Sequence, residues 1–191
     1  MQMFGWQPGI GDPTFLGWLT VAAYIAAAFL SFRAYRLAAP PIPLTRKGIL
    51  MSRVRRPFWL ATTVALMALG FNKQLDLQSL FTAIGRTLAR NEGWYENRRS
   101  IQYIFIICIV FAGALVAAGA LWLFRRGGVW VQLAQLGLIT LYTFVVIRAA
   151  SFHHIDAMLG KKVWLFNLNH ILELGGIAVV ALAALGSSWR R

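Results

Sequence analysis

Acidic side chains are scarce in this sequence: six Asp and Glu stand against 19 Lys and Arg, a net charge of +13. Charged residues of both signs make up 13% of the 191 residues, roughly half the share of an average soluble domain, while 59% are hydrophobic. This composition excludes an ordinary soluble domain and indicates a membrane protein. No nucleic-acid partner is expected, because the basic residues flank apolar runs and form no soluble, aromatic-studded face.

Cysteine is almost absent as well. Cys108 is the only one, and it lies in the middle of an apolar run. A lone cysteine excludes an internal disulfide, and we expect a small packed residue at this position. The opening residues, MQMFGWQPGIGDP, lack a cationic stretch and a small-residue cleavage site, so no removable signal peptide is expected.

Long hydrophobic runs dominate the rest of the chain. A helix needs about 20 apolar residues to cross a bilayer, and five runs approach or reach that length. The predicted fold is an all-α, polytopic transmembrane bundle that forms a single domain over residues 1–191. Its five spans lie at about 14–37, 58–74, 101–124, 129–152 and 163–185. The second run is short, so an alternative fold with four spans makes that segment re-entrant.

Residues 77–90 have a different pattern. Leu77, Leu80, Phe81, Ile84 and Leu88 recur at three- and four-residue spacing, with polar residues between them. This periodicity predicts an amphipathic helix that lies in the plane of the membrane interface. Lys and Arg are more frequent on the side of the first connection, the third connection and the C-terminal tail, which predicts an outer N-terminus and a cytoplasmic C-terminus.

Three polar stretches then fall on the outer side: NKQLD, RAASFHHID and FNLNHILELGG. Every histidine and every acid is predicted there. The residues expected to line an outward-facing pocket are Asn72, Asp76, Arg148, His153, His154, Asp156, Asn167, Asn169, His170 and Glu173. On helices, His153 and Asp156 would share a face, as would His170 and Glu173.

Imidazoles and carboxylates gathered in a partly dry pocket are suited to a divalent metal such as zinc, which acidifies its bound water. The predicted ligands are His153, His154 and His170, with Asp156 and Glu173 as further ligands or general bases. The expected substrate-binding residues are Arg148, Asn72, Asp76, Asn167 and Asn169. Purely structural alternatives stay open: a Glu173–Arg148 ion pair, interfacial histidines and a helix-start role for Asp76.

The strings FNKQLDLQSL, GRTLARNEGWYENRR, RAASFHHID and NHILELGGI resemble a family of small, multi-pass bacterial inner-membrane proteins of unknown activity. This resemblance covers about residues 58–180 and implies a location in the bacterial inner membrane. The chain is also faintly similar to the membrane hydrolases that include alkaline ceramidases and adiponectin-receptor-type proteins. In that comparison Ser151, His154 and His170 resemble the serine and two of the histidines that those enzymes place around an intramembrane zinc. Leu174 stands where another histidine is expected and two spans are missing, so the family's catalytic assignment is not carried over to this chain.

Three classes of function remain open. The first is a metal-dependent hydrolase or transferase that acts on a lipid or envelope molecule from the outer face. In the second, His170 and either His153 or His154 ligate a haem in a membrane electron-transfer protein. The third is a non-catalytic assembly factor, lipid-binding protein or subunit of a membrane complex, possible also as a homo-oligomer. Membrane lipids are expected partners in each case.

Overall fold

The computed structural model describes residues 12–39, 45–75, 98–149, 162–163 and 166–189. Within these ranges the chain is helical, as predicted. The helices are α1 (Phe15–Leu37), α2 (Arg46–Leu75), α3 (Arg98–Phe124), α4 (Val129–Ala149) and α5 (Leu168–Trp189). A 3-10 turn, Arg125–Gly127, joins α3 to α4, and two short strands, β1 (Lys162–Val163) and β2 (Phe166–Asn167), pair antiparallel before α5.

Four of these helices are long and apolar enough to cross a membrane, which confirms the membrane class. The candidate spans are Phe15–Leu37, Ile107–Gly127, Val129–Val146 and His170–Trp189. The remaining helix, α2, is not among these candidate spans. It has 30 residues, but its first part carries several arginines. It begins at Arg46, twelve residues ahead of the apolar run from which the second span was predicted. The predicted interfacial helix at 77–90 lies outside the described residues.

The start of α1 is defined by a local hydrogen-bond pattern. Thr14 Oγ1 accepts a hydrogen bond from the Gly17 N–H at 3.0 Å, the usual contact of an N-cap residue. The Thr14 hydroxyl in turn donates to Asp12 Oδ1 at 2.6 Å. A side chain at position 17 would collide with Asp12, so glycine is needed there for this turn to close. Asp12 is thereby held against the first turn of α1.

The core lies between α1, α2, α4 and α5. One cluster of buried side chains occupies each half of this four-helix unit. The first consists of Tyr24, Ala27, Ala28, Leu66, Leu141, Ile177 and Val180. The second consists of Ala34, Phe58, Trp59, Val131, Ala134, Ala183 and Ala184. Because Phe58, Trp59 and Leu66 of α2 are buried in these clusters, the apolar part of α2 belongs to the bundle.

Helices α4 and α5 pack as an antiparallel pair through small residues. A Cβ atom on Gly137 of α4 would lie 2.9 Å from the carbonyl oxygen of Gly176 in α5. A Cβ atom on Gly186 would lie 2.6 Å from the Trp130 ring. Glycine at these positions lets the two backbones approach closely, as is common between membrane helices.

Helix α3 lies at the edge of the bundle, mainly against α4. Tyr142 donates a hydrogen bond to the Ile109 carbonyl at 2.8 Å, and Gln135 Nε2 donates to the Ala120 carbonyl at 2.7 Å. None of the 18 residues in its most apolar window is buried. Cys108 is exposed on this helix, so the prediction of a packed cysteine was wrong: against the rest of the described chain, α3 packs mainly along the flank that contacts α4.

Candidate functional site

Three helix ends meet at one end of the bundle. These are the start of α1, the last turn of α2 and the first turns of α5, which lie together because α1 and α5 both run antiparallel to α2. We call this end, with Asp12, Lys73 and Glu173, the acidic end. We call the opposite end, with Arg55, Arg56 and the turn 125–128, the arginine end.

Glu173 is the centre of the acidic end. Its Oε2 lies 2.9 Å from Lys73 Nζ, and its Oε1 accepts a hydrogen bond of 3.3 Å from the Tyr24 hydroxyl. The side chains of Lys73 and Glu173 are 6% and 4% exposed. A carboxylate at this depth is costly unless it is paired. Here one cation and one hydroxyl, from two other helices, compensate for its burial.

Asp12 extends this network to the bundle surface. Its Oδ2 lies 3.5 Å from Lys73 Nζ, and its side chain is 21% exposed. Burial acts to raise the pKa of the Asp12 carboxyl, but hydrogen bonds from Thr14 and the charge of Lys73 outweigh it, so the pKa lies below its ordinary value. Among the described residues, two carboxylates thus share one ammonium group, which gives this part of the network an excess of negative charge.

Two side chains next to this network have buried polar atoms without a hydrogen-bond partner: His170 at Nδ1, and Gln74 at both amide atoms. His170 lies three residues before Glu173 in α5, and Gln74 follows Lys73 in α2. Buried polar groups are normally paired with protein, water or ligand. These atoms are therefore available to a ligand or an ordered water.

The structure brings some of the predicted pocket residues together. Lys73, from the described part of the NKQLD stretch, meets Glu173 at the acidic end, and His170 lies one turn before Glu173, so the expected convergence of α2 and α5 is present. Asn72 is half-buried in the last turn of α2, close in sequence to Lys73. Several predicted residues, or their side chains, lie outside the described part of the chain: Asp76, Arg148, His153, His154, Asp156, Asn167 and Asn169.

The metal site predicted from the three histidines is consequently still a prediction. In the part of the chain that the structure describes, no three His, Cys, Asp or Glu side chains form a group that could hold a metal ion. Of the three histidines predicted as ligands, His170 is the one whose side chain is described. Lys73 contacts one oxygen of Glu173 and Tyr24 contacts the other, so a metal ion bound by this carboxylate would share its oxygens with an ammonium group and a hydroxyl.

Sequence reasoning missed Lys73, Tyr24 and Asp12 as members of the site. It named Arg148 as a candidate partner of Glu173; the Arg148 side chain lies outside the described part of the chain, and the cation described beside Glu173 is Lys73. A signal was present: Lys73 belongs to a polar stretch that was already placed on the same side of the membrane. Tyr24 gave a weaker signal, a single hydroxyl in the apolar first half of α1.

Comparisons with protein-family models, with curated proteins and with solved structures find no match to this chain. The role of the site is therefore argued from its own residues.

Proposed function

We propose that this is a five-span protein of the bacterial inner membrane whose acidic end faces outward and binds a divalent metal ion or a small cationic or polar ligand. Its activity would be that of a metal-dependent hydrolase or transferase on a lipid or envelope molecule. The observation that carries the proposal is the unpartnered Nδ1 of His170, one turn from the buried carboxylate of Glu173.

Five spans are supported by the way α2 packs. Trp59, Thr62 and Leu66 are buried among the helices of the core. Each of these helices except α2 is both long and apolar enough to cross a membrane. If the other helices span, the apolar part of α2, about 58–74, must lie in the bilayer with them. The segment 77–90 would then connect α2 to α3 along the outer surface.

The charge distribution supports an outward-facing acidic end. Asp12 and Glu173 are the described acids, and both lie there. The arginines at the end of α1, at the start of α2 and in the turn after α3 lie at the opposite end and outnumber those at helix ends on the acidic side, which are Arg98, Arg99 and Arg148. Basic residues are retained on the cytoplasmic side of membrane proteins. Under this orientation the N-terminus is outside and the C-terminus is cytoplasmic.

A topology experiment can use the lone cysteine. Cys108→Ser removes the native thiol, after which Thr14→Cys and Leu75→Cys mark the acidic end, and Arg36→Cys and Arg126→Cys mark the arginine end; all four positions are exposed. An impermeant maleimide should label the first pair in intact cells and the second pair after permeabilisation. Labelling of one residue from each pair in intact cells would contradict the proposed orientation.

The excess negative charge and the free imidazole nitrogen suit a cation. The proposed metal ligands are His153, His154 and His170, and a bound zinc ion would supply an acidified water. Asp156 remains the proposed general base. Glu173, with both oxygens hydrogen-bonded, is better suited to hold α2 and α5 in place around the ligand than to accept a proton.

Metal analysis of the purified, full-length protein tests this function. We expect about one bound divalent ion per chain, lost in His170→Ala and retained in Gln135→Ala, a matched change at a buried amide on α4 that contacts α3. Added zinc should raise the unfolding temperature of the wild type and of the Gln135→Ala control but not of His170→Ala. Equal metal content in both variants would reject the site, and a Soret band would favour the haem alternative.

The exposure of α3 favours a second candidate, a subunit of a larger membrane complex. The described contacts of this helix with α4 include two bonds from side chains to backbone carbonyls, and its most apolar window is unburied. Such a face is available to lipid or to another membrane helix. Co-purification of a stoichiometric partner in mild detergent, with no bound metal, would support this role in place of the enzyme.

A further inference from the structure

The arginine end contains a tightly built turn between α3 and α4. Gly127 is buried against Val131, and Gly128 has φ +89°, a conformation that L side chains rarely adopt. Gln132 stabilises the turn from α4: its backbone N–H donates to the Gly128 carbonyl at 3.2 Å and its side chain to the Arg125 carbonyl at 3.3 Å. The positions of the turn's two arginines are thus anchored by a constrained backbone.

Arg55 of α2 docks onto this turn. Its Nε donates a hydrogen bond of 2.8 Å to the Gly127 carbonyl. A Cβ atom on Gly128 would lie 3.0 Å from one of its terminal nitrogens. The guanidinium group is therefore half-buried and held in one orientation. Within the described part of the chain, only its Nε donates a hydrogen bond, and the terminal nitrogens have no acceptor.

No carboxylate is described near these charges. Arg55 forms no ion pair in the described part of the chain, where the ion pairs involve Lys73 at the other end of the bundle. Further arginines surround it on the same end: Arg33, Arg36, Arg46, Arg53, Arg56, Arg125 and Arg126. A half-buried, oriented cation without an internal counterion calls for an anion from outside the chain.

Two aromatic contacts indicate the depth of this region in the membrane. Arg56 donates to the Tyr35 hydroxyl at 3.1 Å with its guanidinium carbon 4.9 Å from the Tyr35 ring centroid. Arg125 lies 5.2 Å from the centroid of the Trp122 ring, which is largely exposed. Tyr and Trp with neighbouring arginines are typical of the headgroup level of a bilayer. An anion at this level is a lipid headgroup.

We propose that Arg55 and the turn 125–128 bind the phosphate group of an anionic phospholipid, with the free terminal nitrogens of Arg55 as the oriented donors. A planar guanidinium matches phosphate geometry through paired N–H bonds, which an ammonium group cannot reproduce. Arg125 and Arg126 add positive charge from the same turn. This site is independent of the function proposed for the acidic end.

Native mass spectrometry of the detergent-purified, full-length protein can measure the binding of the first phosphatidylglycerol, with phosphatidylcholine as the neutral comparison. We expect Arg55→Gln to weaken phosphatidylglycerol binding roughly tenfold, the effect of losing a charged hydrogen-bonded pair. Arg53→Gln removes the same charge from an exposed position two residues earlier and should change binding less than about twofold. Arg55→Lys keeps the charge but loses the planar guanidinium group with its paired N–H donors. The affinity of this variant should therefore lie between those of Arg55→Gln and Arg53→Gln.

Several outcomes would overturn the proposal. Equal weakening by Arg55→Gln and Arg53→Gln would mean diffuse attraction to the whole basic surface. Equal binding of the two lipids would remove the role of headgroup charge. Competition by millimolar inorganic phosphate, lost in Arg55→Gln, would assign the site to a free anion. If Arg55→Gln does not fold, Arg55→Lys decides: wild-type affinity in that variant rejects an oriented guanidinium site.

Discussion

The two ends of the bundle carry charge in opposite ways. At the acidic end, Lys73 and Glu173 are almost completely buried and neutralise one another across two helices. At the arginine end, the guanidinium groups are exposed or half-buried, and they contact a carbonyl oxygen or an aromatic ring in place of a carboxylate. A charge inside a bundle must be paired by protein, whereas at the surface water and headgroups can compensate for it.

The largest difference between the two ends should follow from removing Glu173. Glu173→Ala leaves Lys73 buried with Asp12 alone, and we expect it to lower the free energy of unfolding by about 3–5 kcal/mol, the usual result of breaking a buried pair. Reversible unfolding in mixed micelles measures this. The double variant Lys73→Met/Glu173→Leu removes both charges and should recover most of the loss. A cost under about 1 kcal/mol for the single change would mean that Lys73 reaches water.

A backbone change tests the arginine end. Gly128→Ala places a side chain at φ +89° beside Arg55, and we expect it to cost about 2 kcal/mol of unfolding free energy. Gly119→Ala in α3 is the matched control, because a Cβ there meets no atom within 4 Å, and it should cost nothing. Equal stabilities of the two variants would contradict the constrained turn from which the lipid site was inferred.

One hydroxyl at each end gives a finer comparison. Tyr24→Phe removes the donor to the buried Glu173, and the expected loss is about 1 kcal/mol. Tyr35→Phe removes the acceptor of Arg56, whose side chain is exposed, so its cost should be about 0.5 kcal/mol or less. Thermal unfolding of both variants in the same detergent makes the comparison. A larger loss for Tyr35→Phe would reverse the contrast between the two ends.

The smallest expected effect is the pH dependence due to Asp12. The pKa of its carboxyl is lowered in the folded protein from an ordinary value of 3.8. A lowered pKa stabilises the fold above that value, and the stabilisation disappears as the pH falls through the folded-state pKa. Below about pH 4 the wild type should therefore lose up to about 0.5 kcal/mol more than Asp12→Asn. Parallel pH profiles for the two proteins would show that Asp12 contributes nothing.

Much of the fold was predictable because long apolar runs have few alternatives in a membrane. The bounds of α1 and α4 differ by at most three residues from the predicted spans, and α3 and α5 were identified with similar lengths. The start of α2 was missed because a basic segment such as 46–57 can be helical without being apolar. Hydropathy along the sequence identifies only the apolar part of such a helix. The start of α5 was placed five residues early, where β2 and the preceding strand occur.

The site was predicted in part, for a reason that concerns helix rotation. Polar stretches at the ends of α2 and α5 pointed to one shared end, and Lys73 and Glu173 do meet there. Which cation approaches Glu173 depends on how each helix is turned about its axis, and spacing along one helix contains no information about its rotation relative to another. The same limit hid Tyr24, and it hid the exposure of Cys108, since an apolar helix in lipid needs no polar face to mark its outer side.

The sequence by itself indicated a membrane protein built of apolar helices, with a modest excess of Lys and Arg on one side. Hydrophobic length and charge position are local properties, and they are sufficient for that. Only the tertiary structure decided that Lys73, Tyr24 and Asp12 assemble around Glu173, and that Arg55 fits against a glycine turn more than 70 residues away. These contacts depend on close packing between distant segments, which is set by the shapes of all the interfaces together.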